Sequence, residues 1–331
     1  MNETFRALVV DKSDGVYRAD LRELTLADLP DGEVLIQIEY SSLNYKDGLA
    51  VTNRGPIIRT FPFVPGIDLA GTVVESRSPA VAPGDRVIAT GWGIGERHWG
   101  GFSQFARLNS DWLVPLPTTM TLRTAMGFGT AGLTAALCVQ ALEAHGATPS
   151  GGEVVVTGAA GGVGSVAVAL LAAAGFTVIA STGRPQEAGF LKGLGAAEIV
   201  DRAILGAPST RPLESARWGG AVDTVGGVIL GNVIRQLVYG ASVAACGNAG
   251  GTDIPTTVYP FILRAVNLLG IDSVSCSRER RISAFERLAR DVSPQLIESL
   301  VGVAPLADVP RLAHEIVDGR VRGRLVIDVN R

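Results

Sequence analysis

One short segment of the sequence brings together side chains that could hold and move a proton. Residues 41–47, Ser-Ser-Leu-Asn-Tyr-Lys-Asp, follow directly after an apolar strand, and loops at strand ends often carry function because the strand fixes where they point. Tyr45 offers a phenolic proton, and Asn44 offers an amide. The structural alternative has Asn44 capping the next helical turn and Tyr45 filling a seam between domains. Spacing alone leaves both interpretations open.

A second segment has the pattern of a phosphate-binding turn. A β-branched run at 154–157 ends in Gly158-x-x-Gly161-Gly162-x-Gly164, and an Ala-rich run follows, which predicts a strand, a tight turn and a helix with free N–H groups at its start. Gly161 and Gly162 let the backbone approach a pyrophosphate, and Gly164 lets the helix pack closely on its strand. The first glycine stands one place early relative to G-x-G-x-x-G, so a turn that binds nothing is the alternative. We assign the dinucleotide to Ala160, Gly161, Gly162, Val163 and Gly164.

The end of the next predicted strand favours NADPH over NADH. An NAD site places an acidic side chain there for the ribose hydroxyls, whereas this chain has Ser181, Thr182, Gly183 and Arg184. A carboxylate repels a 2′-phosphate, but hydroxyls and a guanidinium bind it. Arg202, after the third strand, offers a second positive charge. The alternative is that the two arginines are solvated surface charges.

The sequence proposes no metal site. Its three cysteines and three histidines are scattered and form no C-x-x-C pair, so neither a disulfide framework nor a four-thiolate zinc site is predicted. A glycine-rich segment at 91–102 contains two tryptophans and His98, and it either lines a cleft or forms a hairpin packed on the barrel. We expect His98 to be an ordinary loop residue. The scattered residues are Cys138, Cys246, Cys276, His98, His145 and His314.

These segments lie on two differently built parts of the chain. The first third has short strands separated by Gly and Pro turns, which is typical of a compact β-barrel domain. In its strand at 34–41, alternate residues such as Ile36 face the core, and Ser41 is expected on the opposite face. The composition changes near Thr124, after which strands and helices alternate. This α/β order predicts a doubly wound parallel sheet with strands at 154–157, 176–181, 198–201, 222–225, 242–246 and 268–274.

The composition is that of a folded enzyme with more than one domain. The chain has 331 residues, of which 47% are hydrophobic and 18% charged, so it can bury substantial cores. The net charge of -3 gives no reason to expect a nucleic-acid partner or an anionic membrane surface. No apolar run is predicted to span a bilayer, and the N-terminus lacks the pattern of a secretory signal. We therefore expect a cytoplasmic location.

Six segments carry a family resemblance when they are taken together: 41–47, 65–71, 91–101, the glycine turn, 244–251 and 260–264. They resemble the zinc-independent quinone-oxidoreductase branch of the medium-chain dehydrogenase/reductases. Within that branch, the chain is most similar to the NADPH-dependent acrylyl-CoA reductases, and the resemblance runs essentially end to end. In zinc-dependent relatives a Gly-His-Glu motif supplies metal ligands, but the comparable stretch here, Pro65-Gly66-Ile67-Asp68, has no His or Cys.

The resemblance implies a fold class, a set of domains and an assembly. A GroES-like β-barrel domain at 1–123 is followed by a Rossmann NADPH-binding domain at 124–297, and the segment 298–331 returns to the first domain. Leu325–Val329 is the expected strand of that return. The family also implies a homodimer.

The resemblance further implies reduction of an activated carbon–carbon double bond. For acrylyl-CoA, NADPH delivers hydride to the β-carbon, charge moves onto the thioester oxygen, and a proton is added at the α-carbon to give propionyl-CoA. Tyr45 is then the expected proton donor and a cofactor contact, with Asn44 as its neighbouring polar contact. The other positions carried over are three cofactor contacts, Thr130, Asn248 and Ser273, and a residue for the CoA portion of the substrate, Arg324.

Two other functions remain open at this stage. A quinone or general enone reductase has the same fold and the same cofactor. A non-catalytic protein that binds NADPH predicts tight binding but no turnover of any enone. Arg324 also suits a plain charged residue that enters the last strand.

Overall fold

The structure is a computed structural model, and it describes residues 4–331. Within that range the strands are β1 (Thr4–Ser13), β2 (Val16–Thr25), β3 (Val34–Leu43), β4 (Asp68–Ser76), β5 (Arg86–Thr90), β6 (Phe105–Leu108), β7 (Leu113–Pro115), β8 (Glu153–Val156), β9 (Val178–Thr182), β10 (Ala196–Asp201), β11 (Trp218–Asp223), β12 (Ser242–Ala245), β13 (Asn267–Gly270), β14 (Val301–Pro305) and β15 (Arg324–Asp328).

The α-helices follow the same chain order. They are α1 (Tyr45–Val51), α2 (Leu122–Ala144), α3 (Gly162–Ala173), α4 (Ala188–Gly193), α5 (Arg202–Leu205), α6 (Gly227–Gln236), α7 (Tyr259–Arg264), α8 (Arg278–Asp291), α9 (Pro294–Leu300) and α10 (Val309–Val317).

The first of two compact units runs to Thr130 and also contains Ser273–Ala289 and Ile297–Arg331. Its main sheet has the order β14-β15-β3-β4-β5-β7, with β6 also paired to β3. Neighbouring strands are antiparallel except β14 and β15, which are parallel. Ile36 and Leu69 are fully buried in its apolar core. The pairing of β15 with β3 brings the end of the chain beside the strand that precedes Asn44.

The second unit consists of Ala131–Asp272 and Arg290–Leu296. Its six strands are parallel in the order β10-β9-β8-β11-β12-β13. This is the strand order of a doubly wound dinucleotide-binding sheet, in which ligands lie at the carboxyl ends of the central strands. The glycine turn follows the carboxyl end of β8, which is one of those central strands.

The predicted domain limits stay a prediction, and the compact units do not follow them everywhere. Ser273–Ala289 groups with the first unit instead of the second. Its arginines explain this, because Arg278 donates to the Leu113 carbonyl at 2.8 Å and Arg281 donates to Thr90 Oγ1 at 3.0 Å.

Three details of the strands differ from the sequence prediction. The strand predicted at 268–274 is shorter, Asn267–Gly270. Ser41 is fully buried instead of facing away from the core, because the register of β3 against β4 shifts between Ile38 and Tyr40. The strand predicted at 222–225 lies earlier, at Trp218–Asp223. Glycines disfavour strands, but here a Cβ on Gly219 would lie 2.3 Å from the Gly151 carbonyl oxygen, so close packing requires that glycine.

Helix α2 is long and apolar enough to cross a bilayer by length and composition. In the structure, 83% of the apolar 18-residue stretch that meets these criteria is buried. Its helical dihedral angles are interrupted at Gly129 (φ 51°, ψ −151°).

Candidate active site

A group of polar side chains lies inside the first unit, around the start of α1. Each of them contacts at least one other member through a hydrogen bond, and all are buried except Thr130, which is partly buried. We call this group the buried polar cluster: Ser42, Asn44, Asp47, Asp68, Thr130 and Arg324.

Asp68 is the acceptor at the centre of the buried polar cluster. Its Oδ2 accepts hydrogen bonds from Ser42 Oγ (2.5 Å), Asn44 Nδ2 (2.8 Å) and the Thr130 backbone N–H (2.9 Å). Its Oδ1 accepts one from Thr130 Oγ1 (2.5 Å). The carboxylate is fully buried, so these donors replace the water that it has lost.

Arg324, at the start of β15, supplies the positive charge of the buried polar cluster. Its Nε donates to the Gly127 carbonyl (2.9 Å), Nη1 to Asn44 Oδ1 (3.0 Å) and Nη2 to Ser42 Oγ (2.9 Å), and Nη2 lies 4.0 Å from Asp68 Oδ2. Burial lowers the pKa of this guanidinium, whereas the Asp68 carboxylate raises it. With a side chain only 2% exposed, Arg324 bonds to protein groups instead of facing solvent, where an expected CoA contact would lie.

Both the nitrogen and the oxygen of the Asn44 side-chain amide form hydrogen bonds within the buried polar cluster. Its Nδ2 donates to Asp68 Oδ2 at 2.8 Å and to Asp47 Oδ2 at 3.2 Å, and its Oδ1 accepts from Arg324. Its backbone N–H also donates to Asp47 Oδ2 at 2.9 Å. Asn44 is the N-cap of α1, as the structural alternative expected.

Asp47 is a second buried carboxyl group, in the first turn of α1. Its Oδ1 accepts from the Ile67 backbone N–H at 2.9 Å. Burial, and next the negative charge of Asp68, raise the pKa of Asp47 to about 7, although the hydrogen bonds from Asn44 and Ile67 lower it. The group therefore changes its charge near neutral pH.

Tyr45 is the first residue of α1 and is 48% exposed, in contrast to its buried neighbour Asn44. The next side chain, Lys46, forms a 2.7 Å ion pair with Glu96 of the glycine-rich segment. The phenol is therefore accessible to a small molecule, while the backbone that carries it is anchored on both sides.

Gly129 lets α2 reach the buried polar cluster. A Cβ at this position would lie 2.4 Å from Asp68 Oδ2 and 2.7 Å from Ser42 Oγ. Its left-handed φ also interrupts the helix, so the N–H of Thr130 turns to Asp68. Thr130, an expected cofactor contact, thus has its hydroxyl donating to a carboxylate of its own unit.

The glycine turn of the second unit has the close packing that its sequence predicts. A Cβ on Gly164 would lie 2.4 Å from the Gly158 carbonyl oxygen, and one on Gly158 would lie 2.3 Å from Thr224 Oγ1. Gly161 directly precedes α3, a helix of 12 residues, so the free N–H groups at the start of α3 lie at this turn. Ala160 is buried, whereas Gly161, Gly162 and Val163 are partly exposed.

The end of β9 gathers the groups expected to meet a 2′-phosphate. Ser181 is buried, and its Oγ has no hydrogen-bond partner among residues 4–331. Arg184 donates through Nη2 to the Ala160 carbonyl at 2.8 Å, so its guanidinium lies at the glycine turn. Arg202 is exposed at the start of α5. A Cβ on Gly183 would lie 2.5 Å from Arg202 Nε, so this side chain packs against the end of β9. Thr182 Oγ1 accepts from the Arg184 N–H at 3.1 Å.

The two remaining expected cofactor contacts lie in different units. Asn248 is exposed in the loop after β12, and Ser273 is partly buried after β13 and groups with the first unit. His98 is an ordinary loop residue, since its ring contacts the Trp99 carbonyl and packs edge-on against Trp112. Across residues 4–331, no group of three or more His, Cys, Asp or Glu side chains could hold a metal ion.

Comparisons with known proteins place this architecture in a family. The model of the alcohol dehydrogenase GroES-like domain matches residues 30–118, and that of the zinc-binding dehydrogenase domain matches residues 162–290. Acrylyl-CoA reductase AcuI of Ruegeria pomeroyi is 54% identical over 98% of this chain and 99% of its own length. The chain belongs to the medium-chain dehydrogenase/reductase family.

Solved structures of this family agree closely with the fold. The YhdH oxidoreductase of Salmonella enterica, in complex with NADP, has a TM-score of 0.96 at 49% identity and covers 98% of this chain and 99% of its own. YhfP of Bacillus subtilis, with NAD bound, has a TM-score of 0.95 at 43% identity and covers 99% and 100%. The predicted fold class, a GroES-like domain with a Rossmann parallel-sheet domain, is confirmed.

Sequence reasoning missed three members of the buried polar cluster. Ser42 and Asp47 stand in the segment 41–47, but neither is among the residues predicted to act there. Asp68 was noted only as part of a stretch without His or Cys. A signal was available, because Asp47 stands three residues after Asn44, the spacing of an N-cap with an acidic residue that reaches back to it.

Gly129→Ala should destabilise the first unit strongly. Both the left-handed backbone and the clash with Asp68 Oδ2 oppose a Cβ, so we expect the free energy of unfolding to fall by about 3–5 kcal/mol. Chemical denaturation measures the change. Gly84→Ala is the matched control, since Gly84 has φ +93° in the same unit but no heavy atom within 4 Å of an added Cβ. Equal losses in both variants would contradict the assigned contact with Asp68.

Proposed function

We propose that this chain reduces the α,β-double bond of a short enoyl-CoA, acrylyl-CoA above all, with NADPH as the reductant. The observation that carries the proposal is the 54% identity to the acrylyl-CoA reductase of R. pomeroyi across nearly the full length of both chains. The expected product from acrylyl-CoA is propionyl-CoA.

The second unit has a donor set and a backbone cradle that fit NADPH. The crowded glycine turn would hold the pyrophosphate, and Ser181, Arg184 and Arg202 would hold the 2′-phosphate. Ser181 Oγ is a buried polar atom without a hydrogen-bond partner among residues 4–331, and buried polar atoms normally have one. The complex of the S. enterica relative with NADP supports the same cofactor here. Bound NADPH supplies the hydride, while Thr130, Asn248 and Ser273 stay predicted contacts.

In the first unit, the half-exposed phenol of Tyr45 is the proposed source of the proton for the α-carbon of the substrate. Its backbone is fixed through Asn44, which limits how far the donor can drift from a productive position. Arg324 stays a predicted substrate residue, and its burial favours a role inside the buried polar cluster.

We also propose that the reaction needs no zinc. The stretch Pro65–Asp68, where zinc-dependent relatives place ligands, contains neither His nor Cys. Asp68 uses both of its oxygens to accept hydrogen bonds from Ser42, Asn44 and Thr130. The groups around the Asp68 carboxylate are therefore hydrogen-bond donors, which bind its oxygens in place of a metal ion.

A homodimer is proposed through the outer edge of the second unit. Strand β13 is the edge of the parallel sheet, where unpaired backbone groups can accept another strand. Helix α7 and its neighbours expose a group of large apolar side chains near this edge, and such patches mark protein contacts. The side chains are Tyr239, Val258, Tyr259, Ile262, Leu263 and Leu268. The cytoplasmic location and the lack of nucleic-acid and membrane partners stay predictions.

Steady-state oxidation of NADPH tests the proposed reaction. We expect acrylyl-CoA to give a higher kcat/KM than crotonyl-CoA, a pantetheine-truncated acrylyl thioester or a simple quinone, all measured side by side. Tyr45→Phe should lower kcat with acrylyl-CoA by about 10²–10⁴-fold, since it removes the proton donor but leaves the dinucleotide turn intact. A quinone reduced as well as acrylyl-CoA would favour the enone-reductase alternative, and tight NADPH binding without any turnover would favour the non-catalytic one.

Arg184→Ala and Arg202→Ala should each weaken NADPH but leave NADH nearly unchanged. Each removes a positive charge proposed to bind the 2′-phosphate, so we expect a loss of about ten- to hundredfold in NADPH affinity. Calorimetric titration of both cofactors measures it. Arg211→Ala, at a side chain 77% exposed in the same unit, is the control. Equal losses for NADPH and NADH would remove the 2′-phosphate assignment.

Ile262→Lys should convert the dimer to a monomer, because it puts a charge in the centre of the exposed apolar group. Light scattering after gel filtration measures the mass against that of the chain, 34.4 kDa. Ile204→Lys is the matched control, since Ile204 in α5 is also 67% exposed but lies outside the group. A wild-type chain that runs as a monomer, or an Ile262→Lys variant that stays dimeric, would contradict this interface.

A further inference from the structure

We infer that Asp47 and Asp68 are positioning residues, which act through the Asn44 amide that bridges them and which hold Tyr45 in its working position only while Asp47 is ionised. This inference rests on the proposed function, because Tyr45 is the proposed proton donor.

The bridge leaves Asn44 unable to serve as a contact to substrate or cofactor. An amide has two N–H donors, and here Asp68 Oδ2 and Asp47 Oδ2 lie 2.8 Å and 3.2 Å from the nitrogen. Its oxygen is held by Arg324 Nη1. Asn44 therefore transmits the state of the two carboxyl groups to the backbone that it belongs to.

The hydrogen bonds to Asp47 favour its ionised form, although burial and the charge of Asp68 oppose it. Oδ1 accepts from the Ile67 N–H, and Oδ2 accepts from the backbone and side-chain nitrogens of Asn44. A proton on either oxygen faces one of these donors, since an N–H cannot accept it. Protonation thus weakens a bond either to Ile67 or to Asn44.

Asn44 and Tyr45 move together because they form the start of one helix. The Asn44 carbonyl accepts the Gly48 N–H at 3.1 Å, the bond that begins α1 at its first residue, Tyr45. When the Asn44 N–H loses its hydrogen bond to Asp47 Oδ2, the first turn of α1 is held less firmly. A displaced donor lowers the rate of the proton step, and a shift of even 1 Å can cost about a hundredfold.

The charges that face Asp47 come from two other strands. Asp68 on β4 disfavours its ionised form, and Arg324 on β15 favours it. Helix α10 packs on α1 at Gly48 through Ala313, Ile316 and Val317, which carry no charge.

The remaining charged groups near α1 are committed elsewhere or exposed. On α10, Arg311 pairs with Glu315 and with Asp308, and His314 is exposed. On α1 itself, Lys46 pairs with Glu96. The charge of the buried polar cluster therefore depends on Asp47, Asp68 and Arg324, and a pKa of Asp47 near 7 puts the change within the working pH range.

The test compares wild type, Asp47→Asn and Asp28→Asn over about pH 6 to pH 8, with acrylyl-CoA as substrate. We expect wild-type kcat to fall on the acid side with an apparent pKa near 7. Asp47→Asn should give a pH-independent kcat that is about ten- to hundredfold lower than the wild-type maximum, with an unchanged Kd for NADPH. Asp28→Asn is the control, since its exposed carboxylate also accepts a backbone N–H three residues away, from Thr25, and it should keep the wild-type profile.

Each outcome separates this inference from the proposed function. A wild-type kcat without an acid limb overturns the inference, and this measurement needs no variant to fold. An acid limb that persists in Asp47→Asn overturns it as well, and so does a kcat equal to that of wild type. Hydrogen exchange of the peptide Asn44–Val51 gives a second readout, where equal protection in Asp47→Asn and wild type overturns the loosening of α1. No turnover with any acceptor overturns the proposed function and, with it, this inference.

Discussion

Two carboxyl groups and one guanidinium meet in the buried polar cluster, and the hydrogen bonds that they need constrain the elements around them. A buried charge that loses its partner costs about 3–5 kcal/mol, so each member must be delivered accurately. Five elements position them: the end of β3, the start of α1, the start of β4, the kink of α2 and the start of β15. Arg324 meets Asn44 across 280 positions of sequence. The return of the last strand to the first unit is therefore an electrostatic requirement as well as a matter of sheet pairing.

The second unit is built on a different principle. Its candidate cofactor site consists mainly of backbone, and glycines such as Gly158 and Gly164 are required where a Cβ would collide with neighbouring atoms. Two arginines, Arg184 and Arg202, lie near the end of β9. The candidate cofactor site therefore combines a rigid turn with cations proposed to select the cofactor, whereas in the first unit the accessible phenol of Tyr45 stands next to the buried polar cluster.

This difference explains how much could be predicted from the sequence. The glycine turn and the parallel order of the second unit depend on local patterns, which sequence displays directly. The buried polar cluster depends on contacts between distant residues, so no local pattern showed that Asp68 and Arg324 lie in it together. Ser41 was assigned to the wrong face because a register shift, unlike alternation, leaves no local sign. The strand Trp218–Asp223 was predicted too late in the chain, because glycines are uncommon in strands and it contains two of them.

The proposed positioning of Tyr45 depends most directly on the ionisation of Asp47, and carbon-13 NMR of labelled aspartate can measure that ionisation without any assay of turnover. The Asp47→Asn spectrum assigns the carboxyl resonance, and a pH titration of the wild-type chain gives its pKa. We expect a midpoint near 7, because the Asp47 carboxyl group is buried and lies close to the negative charge of Asp68. A midpoint at about 4, the ordinary value of an aspartate in water, would contradict it.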